Sequence, residues 1–117
     1  MRAAILLVLL AACVIETDED TTPEPTYAEK AWLVEALPVF EASCMACHWN
    51  TTDTVGFLAG DTPWEIRQSL LDSGVVNVAT PVSSRVLTKG AHTGPALLAV
   101  ETSKILFWLV AERDARR

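Results

Sequence analysis

Residues 44–48 read Cys44-Met45-Ala46-Cys47-His48 and include two of the three cysteines in the chain. One helical turn between Cys44 and Cys47 would present both thiols on the same side of the backbone, with the imidazole of His48 beside them. Cys-x-x-Cys-His is the attachment sequence of c-type haem, in which each thiol adds across a haem vinyl group and the histidine ligates the iron. The sequence therefore predicts one covalent haem, with Cys44, Cys47 and His48 as binding residues and His48 as an iron ligand.

Closely spaced cysteines also occur in other chemistries. A thioredoxin-type pair follows a strand in a βαβ unit, and nothing around Cys44 has a strand pattern. A structural zinc site usually takes four Cys or His ligands, whereas only Cys13 and His92 lie outside the motif. A redox pair, half of a zinc site and chance remain the alternatives to haem attachment.

The first twelve residues have the pattern of an export signal. Met1-Arg2 forms a short positive region, and Ala3–Leu10 is an apolar run too short to span a bilayer. The following Leu10-Ala11-Ala12-Cys13 resembles the bacterial lipobox, which implies cleavage after residue 12 and lipidation of Cys13. The alternative is ordinary signal peptidase cleavage that leaves Cys13 as a thiol. We expect an exported lipoprotein, because a lone thiol is a liability in an oxidising compartment.

The acidity of the chain is concentrated in its N-terminal part. The formal net charge is −6, and six of the fifteen acids precede Lys30. From Lys30 onward, eight cations oppose nine acids, so this part is almost neutral. Residues 13–26 therefore read as a lipidated cysteine and a disordered acidic tether rich in Thr and Pro. Residues 27–117 would form one small domain, without the basic surface that nucleic-acid binding requires.

Helical signals begin at the end of this tether. Thr26 and Glu29 match a capping box and predict a helix from near Tyr27. Pro38 interrupts the apolar pattern, so we expect a kink, or a restart with Pro38 as the first residue of a short helix leading into the haem motif.

Three further helices are predicted. Thr62-Pro63-Trp64-Glu65 combines an N-cap, a first-turn proline and a capping-box glutamate, and Gly74 would end this helix. Ser83–Lys89 predicts one or two turns, with Ser83 as N-cap and Gly90 as terminator. The last helix should cover roughly Val100–Arg113. No strand, repeat or glycine-rich phosphate loop is evident, so the predicted fold class is all-α.

This order of elements resembles the class I cytochrome c fold, in which a helix leads into the haem motif and a last helix carries a central aromatic residue. The amino-acid sequence of several segments is also similar to that of cytochrome c domains in planctomycete and myxobacterial surface proteins. The similar segments are Pro38-Val39-Phe40 through Cys44–His48, then Ser84-Arg85-Val86-Leu87, followed by His92 and Trp108. The resemblance covers Tyr27 to Glu112, and most of its specificity lies in residues 44–48.

The resemblance implies a small helical domain, residues 27–117, wrapped around one covalent haem. Its first and last helices would cross, and Phe40 and Trp108 would pack beside the haem. Three other aromatic side chains fit either the haem wall or an ordinary core: Trp49, Phe57 and Trp64.

The second axial ligand departs from the family pattern. Class I cytochromes normally use a methionine, but beyond the signal the chain has only Met45, which lies between the haem cysteines. His92, in the loop Gly90–Pro95, is therefore the predicted second metal ligand opposite His48. A five-coordinate iron, or ligation by Lys89, water or a backbone group, remains the alternative.

These features predict an electron-transfer protein rather than an enzyme. Its partners would be periplasmic or membrane-bound redox proteins, with a lipid anchor holding it at the periplasmic side or the cell surface. Val14 after Cys13 slightly favours the outer membrane, because an aspartate often retains lipoproteins at the inner one. A haem-based sensor with an open distal site is the first alternative, and a peroxidase-type enzyme is the second.

Overall fold

The computed structural model describes residues 23–50, 56–90 and 94–117. In these ranges the chain is helical, and its only β-type pairing is an isolated parallel bridge between Trp49 and Leu58. The predicted signal at 1–12, Cys13, most of the tether and His92 lie outside the described residues. Within the described ranges, no helix has the length and apolar character needed to cross a membrane. The all-α fold class is confirmed for the described part of the chain.

The first helical stretch consists of three consecutive segments. They are α1 (Tyr27–Ala31), a π-helical segment (Trp32–Ala36) and α2 (Leu37–Ser43). The predicted capping box is present at its start. The Thr26 backbone N–H donates to the Glu29 carboxylate at 2.7 Å, and the Glu29 N–H donates to Thr26 Oγ1 at 3.3 Å. The helix therefore begins where the sequence predicted.

The π segment accommodates Pro38. Proline has no N–H to donate to the carbonyl four residues earlier, and its ring clashes with that carbonyl in a regular α-helix. Here the Leu37 N–H donates to the Trp32 carbonyl, a bond five residues back that widens the turn just before the proline. The helical path changes at this point, but the α-helix resumes at Leu37, so the prediction of Pro38 as first residue is one position late.

The second predicted helix is confirmed as α4, Pro63–Asp72, after the short α3 (Met45–His48). Thr62 caps it with both halves of a capping box. Gly74 follows with φ of 78°, a left-handed conformation that glycine adopts without strain. The capping box at Thr62 and the left-handed Gly74 thus define the two ends of this helix.

The next predicted turns form a 3₁₀ turn, Pro81–Ser83, and a one-turn helix, α5 (Arg85–Thr88). The prediction of Ser83 as N-cap is wrong, because Ser83 ends the 3₁₀ turn and Ser84 occupies the N-cap position. The Ser84 hydroxyl does not cap the helix but accepts the Asn77 N–H at 2.8 Å. Gly90 follows the helix with φ of 64°, as expected of a terminator.

The last helix, α6, covers Ala99–Ala115 and packs against the first helical stretch. Three fully buried aromatic rings join the two. The ring centroids of Trp32 and Trp108 are 4.8 Å apart, and Phe40 meets Trp108 edge to face at 6.3 Å. Aromatic pairs at these distances contribute beyond their buried area. The described domain is therefore organised around an aromatic core between its first and last helices.

A buried ion pair attaches α4 to α6. The Arg67 guanidinium donates to both carboxylate oxygens of Glu112, at 2.7 Å and 3.0 Å. Glu112 is only 3% exposed, and it also accepts the indole N–H of Trp108 at 2.7 Å. The carboxylate is thus satisfied from two sides, which is the condition for burying a charge at tolerable cost.

Candidate functional site

A cavity of about 340 Å³ opens beside the end of α2. Ligand-binding cavities commonly have volumes of about 300–1,000 Å³. The wall consists of residues from four parts of the chain: Ser43, Cys44 and His48; Phe57; Val75; and Arg85, Val86 and Lys89. Two of the predicted haem-binding residues therefore line the same cavity.

Cys44 lies at the junction of α2 and α3 and is buried. Its N–H donates to the Phe40 carbonyl at 2.9 Å, and its own carbonyl accepts the N–H groups of Cys47 and His48 at 3.2 Å and 3.0 Å. The predicted turn between the two cysteines is therefore present. This turn brings residues 44–48 together by local backbone bonds alone.

Burial raises the pKa of the Cys44 thiol. The nearby Lys89 charge opposes this shift, and the Glu101 carboxylate adds to it. Thiols that exchange disulfides instead have lowered pKa values, because the thiolate is the reactive form. The environment of Cys44 thus favours a neutral thiol over the activated thiolate of a redox pair.

The imidazole of His48 stacks on the ring of Phe57. The ring centroids are 4.5 Å apart and the planes are inclined by 29°. Phe57 is held in place by its neighbour Leu58, whose N–H donates to the His48 carbonyl at 3.4 Å and whose carbonyl accepts the Asn50 N–H at 3.2 Å. This pairing brings Phe57 to the cavity wall.

The remaining residues of the motif and the other aromatic candidates lie elsewhere. Cys47 is exposed and does not line the cavity, and Met45 packs against the core. Trp49 and Trp64 are 48% and 43% exposed, so of the three aromatic candidates only Phe57 belongs to the wall. The local sequence around Phe57 carries no signal for this role, because the pairing with residues 48–50 is a tertiary contact.

Two cations on α5 and its C-cap complete the site. Arg85 and Lys89 are four residues apart and both line the cavity. From the sequence, Lys89 is predicted only as an alternative iron ligand, and Arg85 has no predicted role. Their i, i+4 spacing on a predicted helical turn was the available signal, because such residues lie on one face.

The second predicted metal ligand lies outside the described residues. His92 follows Lys89 by three positions, so its prediction stays untested. Over residues 23–50, 56–90 and 94–117, no group of three or more His, Cys, Asp or Glu side chains is placed to hold a metal ion.

No protein-family model matches this sequence, and no significant match was found among curated proteins or solved structures. The function is accordingly inferred from residues 44–48 and from the cavity around them.

Proposed function

We propose that the protein is a monohaem c-type cytochrome that transfers electrons, anchored to a membrane through lipidated Cys13. The observation that supports this most directly is that Cys44 and His48 line one cavity beside a turn of the required spacing. Haem would be covalently held by Cys44 and Cys47, and His48 would ligate the iron.

The residues around the cavity suit a flat, largely apolar cofactor. Phe57, Val75 and Val86 provide apolar wall, and the Phe57 ring limits the rotation of His48 by stacking on it. A bound haem would supply one-electron chemistry between ferric and ferrous iron. The part played by the chain is to attach the porphyrin, orient the imidazole and exclude water from one side.

Whether the protein is an electron carrier or a ligand-binding protein depends on whether a side chain occupies the second axial position of the iron. Lys89 lines the cavity, and three residues of chain reach at most about 11 Å, so ligation by His92 is compatible with the position of Lys89. Two imidazole ligands would give a low-spin centre of lower potential than a methionine-ligated one. An open position would instead favour a sensor or, less readily, a peroxidase-type enzyme.

Haem attachment is tested by producing the protein together with a c-type haem maturation system. We expect one covalent haem per chain by pyridine haemochrome quantitation, and a six-coordinate low-spin spectrum. The double variant Cys44→Ser/Cys47→Ser should retain no covalent haem, whereas Ser43→Ala should retain it. A wild-type protein without covalent haem refutes the proposal and leaves Cys44 and Cys47 as a thiol pair.

Ligation by His92 is tested by the spin state of His92→Ala, with Thr93→Ala in the same loop as control. The His92 variant should become high-spin while the control stays low-spin. A His92 variant that remains low-spin indicates another ligand, such as Lys89. High-spin haem in the wild type would indicate an open axial position and would favour a haem-based sensor or a peroxidase-type enzyme over an electron carrier.

Anchoring is tested by fractionating cells that express the full chain or Cys13→Ser. The full chain should follow the membrane, with the outer membrane favoured, and the variant should appear in the soluble periplasmic fraction. Equal distribution of the two proteins would exclude a lipid on Cys13. If the full chain follows the membrane, the redox partners of the protein would be sought among periplasmic and membrane-bound electron-transfer proteins.

A further inference from the structure

Three apolar side chains on the outside of the first and last helices form one exposed patch. Tyr27 of α1 and Phe107 of α6 meet edge to face, with ring centroids 6.0 Å apart. Val100, two turns before Phe107 on α6, lines a shallow depression of about 230 Å³ with it. Tyr27, Phe107 and Val100 are 67%, 47% and 58% exposed, and we call these three residues the apolar face. An apolar cluster of this kind on a small domain indicates a contact with something outside the domain.

The charged groups around the apolar face balance each other. Lys104, which lines the same depression, lies 4.0 Å from the carboxylate of Glu35 on the first helical stretch. Lys30, one turn after Tyr27, lies 3.8 Å from the carboxylate of Glu24. The aliphatic stems of such lysines can cover apolar surface while their ammonium groups stay in water. The face therefore combines apolar and aromatic side chains with paired charges, which suits a surface without a strong net charge.

The predicted tether joins the domain at this face. Tyr27 is the first residue of α1, and the thirteen residues 14–26 separate it from Cys13. A chain of thirteen residues spans at most about 45 Å. A lipid on Cys13 would therefore keep the apolar face close to the membrane surface at all times. At such a high local concentration, a contact that is too weak to act alone becomes effective.

The apolar face is small for a protein interface, because each partner in a specific complex usually contributes about 20–30 residues. We infer that the apolar face lies on the membrane that carries the anchor, with Tyr27 and Phe107 among the lipid headgroups, where aromatic side chains are enriched. Because the charges around the face are paired, the surface that it contacts is one of zwitterionic lipids. This inference rests on the proposed lipidation of Cys13 and deepens it, but it does not depend on haem.

The contact would fix the orientation of the domain on the membrane. None of the three residues of the apolar face is among the described residues that line the cavity beside Cys44. The membrane contact and the proposed cofactor site therefore use different side chains, and both can be occupied in one molecule.

The test measures how two labelled positions lie relative to a membrane. The lipidated holoprotein is extracted in detergent and reconstituted into phosphatidylcholine vesicles, and flotation of the vesicles establishes that it is anchored. A nitroxide spin label is attached to Val100→Cys in one variant and to Val82→Cys in the matched control. Val82 is also a valine, is 65% exposed and lies outside the apolar face. Circular dichroism establishes that each variant is folded.

The readout is the accessibility of the nitroxide to oxygen, which concentrates in the bilayer, and to a water-soluble nickel chelate. The ratio of oxygen to nickel collisions should be at least about twofold higher at Val100→Cys than at Val82→Cys, since an interfacial helix buries its apolar side about 5–10 Å deep. Adding Tyr27→Ser and Phe107→Ser to the Val100→Cys variant should lower its ratio to that of the control, because the aromatic part of the face is then lost.

The outcomes separate the inference from the function beneath it. Equal ratios at the two positions in anchored protein overturn the lipid contact and leave the anchor intact. A label at Val100→Cys that is shielded from both probes reports a second copy or another segment of the chain on the face, and overturns the inference as well. A high ratio that survives the loss of both aromatic rings overturns the assignment of the contact to this face.

A wild-type chain that does not float with the vesicles overturns the anchor and the inference together. If the chain carries anchor but no covalent haem, the same labels are placed in Cys44→Ser/Cys47→Ser. The lipid contact is then tested by the same ratios, independently of haem attachment.

Discussion

Cys44 and Cys47 occupy different environments although only two residues separate them. Cys44 is 5% exposed and burial raises its pKa, whereas Cys47 is exposed. In the haem-free protein, with Cys13 replaced by serine, Cys44 should therefore react more slowly with iodoacetamide than Cys47. At a given pH, the thiolate fraction of Cys44 is smaller than that of an ordinary cysteine, because burial raises its pKa above the usual 9.0.

The measurement follows alkylation against pH in two single-cysteine variants, Cys47→Ser and Cys44→Ser. The rate at Cys44 should keep increasing to higher pH in the folded protein than in 6 M guanidinium chloride, because burial raises the pKa of the Cys44 thiol only in the folded protein. Equal rates at the two cysteines, together with a Cys44 pH profile that the denaturant does not change, would show that Cys44 is not buried in the haem-free protein. The same rates in 6 M guanidinium chloride, where both thiols are exposed, provide the control.

Substitution of Glu112 should destabilise the folded domain away from the cavity. Glutamine could still accept the Trp108 N–H but would leave the largely buried Arg67 guanidinium without its carboxylate. We expect Glu112→Gln to lower the free energy of unfolding by about 2 kcal/mol in urea denaturation. Glu41→Gln, at an exposed position on α2, should change it by less than about 0.5 kcal/mol. A small effect at Glu112 would show that the ion pair is not retained in solution.

At the scale of elements, the start of α4 depends on one hydroxyl. Thr62 Oγ1 accepts the Glu65 N–H at 3.3 Å, and Thr62→Ala removes this acceptor. We expect a loss of about 1 kcal/mol in the free energy of unfolding, typical of an N-cap substitution. Thr62→Ser keeps the oxygen and should recover most of the loss. If the serine variant is as unstable as the alanine variant, the methyl group rather than the cap is responsible.

The observed helices show which features of secondary structure can be predicted from neighbouring residues. Both capping boxes and the glycines after α4 and α5 were predictable, because caps and left-handed turns depend on residues within one turn. The π segment was not, since Pro38 requires an irregularity but several geometries satisfy it. The N-cap was predicted at Ser83 instead of Ser84 for a similar reason. The two adjacent serines are equivalent in the local sequence, and only the hydrogen bond between the Asn77 N–H and Ser84 distinguishes them.

For the whole molecule, three helix-terminal carboxylates should govern stability in acid. Backbone hydrogen bonds are the first cause that lowers the pKa of Glu29, Glu65 and Glu101 from their usual 4.5. A lowered folded-state pKa contributes stability above the unfolded-state value. That contribution is lost as the pH falls through the folded-state value. Unfolding in urea should thus need less denaturant as the pH drops below about 4.5.

The matched experiment compares the wild type with the triple glutamine variant of these three positions. Its urea midpoint should be lower at neutral pH and should change less between pH 5 and pH 3. Parallel curves for the two proteins would mean that other groups determine the acid response. Glu41→Gln serves again as an exposed control and should follow the wild type.

The sequence by itself determined the helical class, most helix ends and the turn that joins Cys44 to His48, and haem attachment at residues 44–48 stays a prediction. A single helical turn, a cap and a terminator are each complete within a few residues, so local bonding suffices to define them. Tertiary structure alone decided that Phe57 stacks on His48, that Arg85 and Lys89 share a cavity with Cys44, and that Arg67 meets Glu112. These contacts join residues far apart in the chain, and their partners are selected by how the helices pack around the aromatic core rather than by any pattern in their own segments.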